Sequence, residues 1–317
     1  MKCWICDAHV KRLAVMTRDG KKKPIHFCPS CDFYFFGKGA AHFMKTDRFE
    51  AQRLKTANLK IPDMKTDFQN GLKQAKGYVK EYIQESDKNK SVLEIGCSWG
   101  YFLYLLKNKQ IKPVGVEINP VRTRYVRKKL AIPCYESMEA LEETKISFDK
   151  IFLFYVVQYI EKPRAYFERL LGLLNKNGSI HFVTPNINDA LLSLWRNKAY
   201  ADFFFEKMTV AYYSVKAIKK MLSRLADKHS FSFHVKTRQG YSFLNHTNWY
   251  FSGTPRTTGM VGGDNFISDI VNVLRLSKRK PSKEISGLIE NFDRRYRSLI
   301  EKQGLGNQII VTITRHK

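Results

Sequence analysis

The sequence of 317 residues predicts an α/β fold in which helices cover a mainly parallel sheet. Between residues 91 and 236, short apolar runs alternate with amphipathic stretches of about 12 residues, which is the pattern of successive βαβ units. Such units are right-handed and place their strands parallel. The hydrophobic content of 44%, with 22 phenylalanines and 16 tyrosines, is enough to fill the core of a catalytic domain.

The first predicted strand of this region ends in a glycine turn. Residues 92–102 read VLEIGCSWGYF, a buried strand that turns at Gly96 and Gly100 into a helix. Glycines let the backbone approach a ligand without a Cβ clash, and the helix N-terminus offers free N–H groups. A second strand ends at Glu117, 21 residues after Gly96, where a carboxylate can accept hydrogen bonds from ribose hydroxyls. The pattern therefore predicts a nucleotide-type cofactor.

The glycine spacing distinguishes between cofactors. A dinucleotide site has the pattern GxGxxG, whereas here Ser98 stands where a middle glycine would be and Glu94 is placed to meet a cation. This arrangement resembles motif I of the class I S-adenosylmethionine (SAM) methyltransferases, without the middle glycine. The resemblance implies a Rossmann-like, seven-stranded core. It also implies that eight residues bind SAM: Glu94, Gly96, Cys97, Gly100, Glu117, Ile118, Ser137 and Met138.

The other core elements follow in order. Asn119 and Pro120 start a helix, as its N-cap and first residue. Residues 148–157 form an apolar run that is typical of a fully buried parallel strand. Pro163 opens an amphipathic helix that we expect to stop at Asn177–Gly178. The remaining predicted elements are a helix over 66–87 and strands over 132–135, 179–184, 231–235 and 308–314.

Two CxxC pairs lie near the N-terminus, Cys3 with Cys6 and Cys28 with Cys31. Four thiolates at this spacing can bind one Zn²⁺ as a tetrahedron. Two disulfides are the alternative, but no signal peptide precedes Cys3 and the other two cysteines lie in the predicted core. We expect a structural zinc, because four protein ligands leave no open position for chemistry and a segment this short has too little core to fold alone.

These elements divide the chain into four parts. They are a zinc ribbon over 1–45, a linker and N-terminal helix over 46–90, a SAM-binding core over 91–238 and 307–317, and a substrate cap over 239–306. The cap is an insertion between the last two strands, at the carboxyl ends of the strands, where a long connection is expected to have a function. With the polar-aromatic segments 184–214 and 239–255, the cysteines make the chain resemble the zinc-ribbon class I methyltransferases of bacterial surface-polysaccharide and deoxysugar gene sets.

This resemblance implies methylation of a sugar or sugar-linked metabolite, at oxygen, in glycan biosynthesis. The chain departs from relatives of the ubiquinone-pathway type at Gln158–Tyr159, where those enzymes have Glu-His, so an imidazole base is absent there. The candidates to deprotonate or position the acceptor are His246, Tyr241, Tyr159, Glu206 and His181. Of these, His181 lies within a strand and is more typical of a core histidine. Proximity and orientation can also carry methyl transfer, so a dedicated base is not required.

The formal net charge of +26 leaves several partners open. A basic surface attracts nucleic acid, anionic lipid or phosphorylated glycans, although scattered lysines are also common on solvated helices. A zinc-containing RNA methyltransferase is therefore an alternative function, and a non-catalytic zinc-ribbon binding protein is another. No Asn/Asp-Pro-Pro-aromatic motif follows the fourth strand, which counts against methylation of a nucleobase amine. No apolar run reaches the roughly 18 residues that span a membrane, so we expect a cytoplasmic protein that acts on a small-molecule or glycan acceptor. Its oligomeric state is left open.

Overall fold

The computed structural model describes residues 1–37, 64–206, 208–253 and 283–316. These residues form a small four-stranded sheet and a larger seven-stranded sheet. The small sheet consists of β1 (Lys11–Met16), β2 (Lys22–Cys28), β3 (Phe33–Phe35) and β9 (Ala211–Tyr212). The large sheet consists of β4 (Ser91–Ile95), β5 (Lys112–Val116), β6 (Cys134–Tyr135), β7 (Phe148–Phe154), β8 (Leu174–Pro185), β10 (Phe231–Arg238) and β11 (Gln308–Arg315).

The large sheet has the strand order β10-β11-β8-β7-β4-β5-β6. Strands β4 to β8 pair in parallel, whereas β11 is antiparallel to both of its neighbours, β8 and β10. The predicted seven-stranded α/β core is therefore confirmed, and the sheet is mixed. Strand β11 lies between β8 and β10, and its alternate side chains Ile309, Val311 and Ile313 are fully buried on one face of the sheet.

Helices pack on both faces of this sheet. They are α1 (Met64–Tyr82), α2 (Tyr101–Lys107), α3 (Pro120–Lys129), α4 (Met138–Glu142), α5 (Pro163–Gly172), α6 (Ala190–Ser193), α7 (Lys198–Phe204), α8 (Val215–Ala226), α9 (Phe243–Ser252) and α10 (Lys283–Lys302). The N-cap prediction for α3 is confirmed, because the Asn119 side chain accepts hydrogen bonds from the backbone of Val121 and Arg122. Among the described residues, no helix is long and apolar enough to cross a membrane.

The boundary between α5 and β8 differs from the prediction. Helix α5 ends at Gly172, and Asn177–Gly178 lies inside β8 instead of at a helix C-terminus. The pairing of β7 with β8 shifts register between Phe148 and Lys150. Asn177 has a φ of 59°, so the Asn-Gly pair forms an irregularity in the strand. The same residue types suit a helix C-cap and a bulge, because both need a left-handed backbone.

The small sheet packs against the rest of the chain and shares a hydrophobic cluster with it. Strand β9 comes from the core and pairs with β3 through Tyr34 and Tyr212. Phe33 and Phe35 are fully buried in the same hydrophobic cluster as the α8 side chains, and the Phe33 ring lies 5.1 Å from that of Tyr213. The N-terminal residues therefore gain core from the rest of the chain. The end of the predicted zinc ribbon (38–45), most of the predicted linker (46–63) and part of the predicted cap (254–282) lie outside the described residues.

Candidate active site

The turn after β4 has the backbone that its glycines predict. Gly96 and Gly100 have φ values of 71° and 77°, which L-residues with a side chain rarely adopt. A Cβ at Gly96 would lie 2.5 Å from Cγ2 of Val156, so there is no room for a side chain between this turn and the chain after β7. Ser98 has a φ of 51°, the conformation that a middle glycine would adopt. The missing glycine thus leaves the shape of the turn intact, at a cost of about 1 kcal/mol.

The carboxylate of Glu117 joins this turn to the end of β5. Its Oε2 accepts a hydrogen bond from the Ser98 backbone N–H at 2.9 Å, and its Oε1 accepts one from the Asn119 N–H at 2.9 Å. A carboxylate has about four acceptor positions, so a ribose diol bound beside this turn is compatible with the chemistry of Glu117. The carboxylate is 6% exposed and lies where the sequence places it.

Glu94 is a buried carboxylate without a partner for one oxygen. Its Oε2 makes no hydrogen bond among the described residues. Burial raises its pKa well above the ordinary value, and the nearby Cys134 and Glu117 add to the shift. An orphaned, buried acidic oxygen fits a cationic group such as the amino group of SAM, because ion pairing would offset the cost of burying the charge.

The other residues predicted to bind SAM lie around this turn and the next strand ends. Cys97 points away into the core, with its Sγ 3.7 Å from that of Cys134, so only its backbone can face a ligand. Ile118 is half-buried beside Glu117. Ser137 caps α4 through a hydrogen bond to the Ala140 N–H, and Met138 is buried behind it. These positions leave backbone and apolar groups of Ser137 and Met138 as the groups that can contact a ligand.

The sequence analysis missed Tyr155, which directly follows β7. The φ of Tyr155 is 56°, which is unusual for a bulky residue. Two hydrogen bonds to the Tyr155 backbone hold this conformation: the Tyr155 N–H donates to Val183 O, and Gln158 Nε2 donates to Tyr155 O. Burial raises the pKa of Tyr155 well above the ordinary value, with contributions from the nearby Tyr78 and Tyr241. The signal in the sequence was its position at the carboxyl end of a buried parallel strand, where ligands of such sheets bind.

Tyr78 completes this cluster from α1. Its ring stacks on Phe154 with 3.8 Å between centroids and 3° between planes. Burial raises the pKa of Tyr78 to about 12, and the charge of the nearby Glu94 contributes to this rise. We call Glu94, Tyr78, Tyr155 and Tyr241 the edge cluster. Glu94 was predicted for the cofactor and Tyr241 for the acceptor, whereas Tyr78 and Tyr155 were not predicted. The raised pKa values of Tyr78 and Tyr155 keep both phenols neutral at physiological pH.

Tyr159 and Gln158 lie in a short 3₁₀ turn after β7. Gln158 is buried, donates to Tyr155 O and accepts from Thr184 Oγ1 at 3.3 Å. Its backbone O also accepts from the Val210 N–H beside β9. Gln158 thus fixes the loop that carries Tyr155, while Tyr159 is half-buried in the same turn.

His246, a predicted candidate base, lies on α9 and is 1% exposed. Its Nδ1 is 2.6 Å from Tyr296 Oη and its Nε2 is 3.0 Å from Gln239 Nε2. The amide can only donate, so Nε2 accepts and Nδ1 carries the proton. Burial, and then the positive charge of Arg297, lower the pKa of His246 to about 4. Both ring nitrogens therefore hold α9 and α10 to the core, and the predicted role of His246 as a base gains no support from this geometry.

His181 is the core histidine that its strand position predicts. Its Nε2 is 2.8 Å from Ser179 Oγ, its Nδ1 is 3.2 Å from Thr312 Oγ1, and burial lowers its pKa to about 4. It lines a cavity of about 440 Å³ between α1 and the sheet. Glu206 pairs with Arg18 of the N-terminal sheet, so this candidate base is held in an ion pair.

The four N-terminal cysteines converge as predicted. Their sulfur atoms all lie within 4.8 Å of one another, with 3.8 Å for Cys3–Cys31, 3.5 Å for Cys6–Cys28 and 3.6 Å for Cys28–Cys31. Sulfurs placed about 2.3 Å from one zinc ion at tetrahedral angles are about 3.8 Å apart, whereas a disulfide needs about 2.05 Å. A hydrogen bond from Cys31 lowers the pKa of Cys3 to about 5, which favours the thiolate that binds metal. The geometry fits a metal better than disulfides.

Comparison with known proteins agrees with the site. Residues 69–225 match the family described as "Methyltransferase domain", a segment that runs from α1 to α8. No curated protein matches the chain. Similar solved structures include a SAM-dependent methyltransferase from Archaeoglobus fulgidus, with 16% identity over 84% of this chain and 99% of that chain and a TM-score of 0.49. Another is the plantazolicin methyltransferase BamL in complex with a triazolic desmethylPZN analogue and SAH, with 16% identity over 87% of this chain and 93% of that chain and a TM-score of 0.47. The matched segment contains the glycine turn, Glu94 and Glu117, and the protein is an enzyme, a SAM-dependent methyltransferase.

Proposed function

We propose that the enzyme methylates a hydroxyl oxygen of a sugar or sugar-linked metabolite, and that the acceptor lies over the edge cluster, next to α9. The observation that carries this proposal is the group of neutral phenols at the end of β7. Aromatic rings pack against the apolar faces of a sugar, and phenol groups can both donate to and accept from its hydroxyls. A site for a cationic amine would favour a negative charge beside the acceptor.

A second polar group supports an acceptor site in the same segment. Asn245 on α9 is 4% exposed, and its Oδ1 has no hydrogen-bond partner among the described residues. A buried carbonyl without a partner costs about 1–3 kcal/mol of stability. Binding an acceptor hydroxyl that donates to this oxygen would remove that cost, so we place Asn245 against the acceptor.

When bound, SAM would supply a methyl group on a sulfonium: the acceptor oxygen would bond to the methyl carbon in line as the C–S bond breaks, S-adenosylhomocysteine would leave, and the hydroxyl proton would pass to solvent water. The contribution of the protein in this proposal is orientation. Glu117 holds the ribose, Glu94 the amino group, and Tyr155 and Tyr241 align the attacking hydroxyl, so that the reaction benefits from proximity. The raised pKa of Tyr155 keeps its phenol neutral, so it orients the hydroxyl instead of removing its proton. Tyr159 and His246 stay predictions as acceptor-positioning residue and base.

We also propose that Cys3, Cys6, Cys28 and Cys31 bind one structural Zn²⁺. Cys3, Cys28 and Cys31 are buried in the core that joins the small sheet to the domain, so a metal there would fix that sheet against the enzyme. A thiolate site of this kind suits a reducing compartment, in accord with the cytoplasmic location expected from the sequence.

The substrate class can be tested by a methyl-transfer screen with isotope-labelled SAM. The acceptor pools are nucleotide sugars, polysaccharide fragments, RNA and peptides. Label in the sugar pools that is stable to mild base, as an ether is and an ester is not, would support O-methylation of a hydroxyl. Label confined to RNA would support the alternative suggested by the net charge, and label confined to peptides would contradict both.

Asn245→Leu gives a sharper test of the acceptor site. Because an apolar side chain of similar size removes an orphaned polar atom, we expect the melting temperature to be equal or higher. The KM for the acceptor should rise about tenfold, while the affinity for SAM stays unchanged. Asn248→Leu on the same helix is the control, because the Asn248 amide donates to Ser252 Oγ, and it should leave the KM for the acceptor unchanged. An unchanged acceptor KM in the Asn245 variant would contradict the placement of the acceptor but not the enzyme class.

A further inference from the structure

Helix α10 presents an unusual surface stripe. Leu288, Phe292 and Leu299 are 71%, 51% and 51% exposed. At 100° per residue, these positions fall within about 40° of one another around the helix axis. They therefore form one apolar stripe along about three turns of helix, whereas single exposed apolar residues are scattered on ordinary surfaces.

The buried face of α10 fixes the direction in which the stripe points. Ile300 and Asp293 are 4% and 5% exposed. One oxygen of Asp293 accepts from the Phe243 N–H at 2.7 Å and the other from Arg297 Nε at 2.6 Å. Because these contacts bind the helix to α9, the stripe points away from the body of the enzyme.

Aromatic contacts extend the stripe onto α9 and onto the residues that follow α6. The Phe292 ring lies 5.0 Å from Phe243, which lies 6.0 Å from Trp195, which in turn lies 6.1 Å from Tyr250. Tyr250 is 62% exposed and the adjacent Phe251 is 84% exposed. Leu194, next to Trp195, is also exposed. We call this continuous surface the apolar rim: Leu194, Tyr250, Phe251, Leu288, Phe292 and Leu299.

Cations lie among the apolar side chains of the rim. Arg295 is exposed and lies between Phe292 and Leu299 on the same stripe, and Lys302 is exposed beside it. Apolar side chains flanked by arginine and lysine on one helix face are the composition of segments that lie in the surface of an anionic bilayer. Three of the six rim residues are leucines, which offer no ring on which a base could stack, and the aromatic residues Tyr250, Phe251 and Phe292 suit the boundary between headgroups and acyl chains equally well, so we favour a lipid surface over single-stranded nucleic acid.

We propose that the apolar rim docks the enzyme on an anionic lipid surface. Leu288, Phe292 and Leu299 enter the boundary between headgroups and acyl chains, and Arg295 contacts lipid phosphates. Helix α9 begins after β10 and α10 ends before β11, so the rim lies on the segment at the carboxyl edge of the sheet, the edge that carries the active site. Docking in this orientation places that edge next to the membrane, whichever acceptor the enzyme methylates.

The test is co-sedimentation of the full chain with vesicles of 30% phosphatidylglycerol in phosphatidylcholine and with vesicles of phosphatidylcholine alone. We expect binding to the anionic vesicles that is at least about tenfold weaker in the double variant Leu288→Ser/Phe292→Ser. Arg295→Gln should weaken it by about fivefold, since one cation near such a surface contributes about 1 kcal/mol. Ile146→Ser is the matched control, because Ile146 is 40% exposed but precedes β7 at the opposite edge.

Three outcomes would overturn the proposal. The first is a wild-type enzyme that does not sediment with anionic vesicles. The second is a double variant that binds vesicles as the wild type does but has a lowered melting temperature, which would show that the rim is covered within the protein. The third is binding that homopolymer RNA displaces and that the double variant retains. SAM affinity, measured by calorimetry, should be equal in all variants and confirms that each is folded.

Discussion

Replacing Glu117 by Gln tests the cofactor site most directly. The carboxylate accepts from two backbone N–H groups, Ser98 and Asn119, both at 2.9 Å. A glutamine has one carbonyl oxygen, so its NH₂ group must face one of these donors and can no longer accept from the ribose hydroxyl that we place there. Hydrogen bonds to a charged group contribute about 1.5–3 kcal/mol, which corresponds to SAM binding that is about 10- to 150-fold weaker.

The assay is isothermal calorimetry with two ligands. Adenosine contains the ribose but not the amino-acid part of SAM, so Glu117→Gln should weaken both ligands by a similar factor. Glu94→Gln should weaken SAM but leave adenosine unchanged, because Glu94 is assigned to the amino group. Glu136→Gln is the control, since that glutamate is exposed and 3.7 Å from Arg127. Unchanged SAM affinity in a folded Glu117→Gln variant would refute the assignment of the ribose to Glu117.

Three further predictions concern zinc, the turn and pH. Elemental analysis should find about one zinc per chain, and Cys28→Ser should lose it and lower the melting temperature; a metal-free native protein with disulfides would contradict this. Gly96→Ala should cost about 2 kcal/mol or more in the free energy of unfolding, because of its φ of 71° and the contact with Val156. Adding Val156→Ala should recover the packing part only, and full stability in Gly96→Ala alone would argue against the close approach. The pKa of His246, lowered to about 4, keeps the folded imidazole neutral while the unfolded one gains a proton. Stability should therefore fall by up to about 3 kcal/mol as the pH falls from about 6.5 to 4. His246→Gln should flatten this dependence in urea titrations, and an unchanged slope would contradict the burial of a neutral ring.

Helix ends and turns were predictable because they depend on residues close together in the chain. Asn119 and Pro120 start α3 as their side-chain chemistry requires, and Gly96 and Gly100 mark the turn after β4. The same logic failed at Asn177–Gly178, where a left-handed pair belongs to a strand irregularity. Local chemistry specifies the backbone conformation, but the partner strand decides which element contains it.

The α/β class, the seven strands, the cofactor turn and the convergence of the four cysteines were predictable from the amino-acid sequence, because residue spacing and residue type encode each of them. Three features became visible only in the folded chain. Strand β9 completes the N-terminal sheet, and His246 is buried with both ring nitrogens hydrogen-bonded. Tyr155 lies near Tyr78 and Tyr241 at the strand edge. Each of these depends on groups far apart in the chain, whose meeting is set by which apolar faces pack together. The periodicity of a single element shows that a face is buried, but not which face it meets.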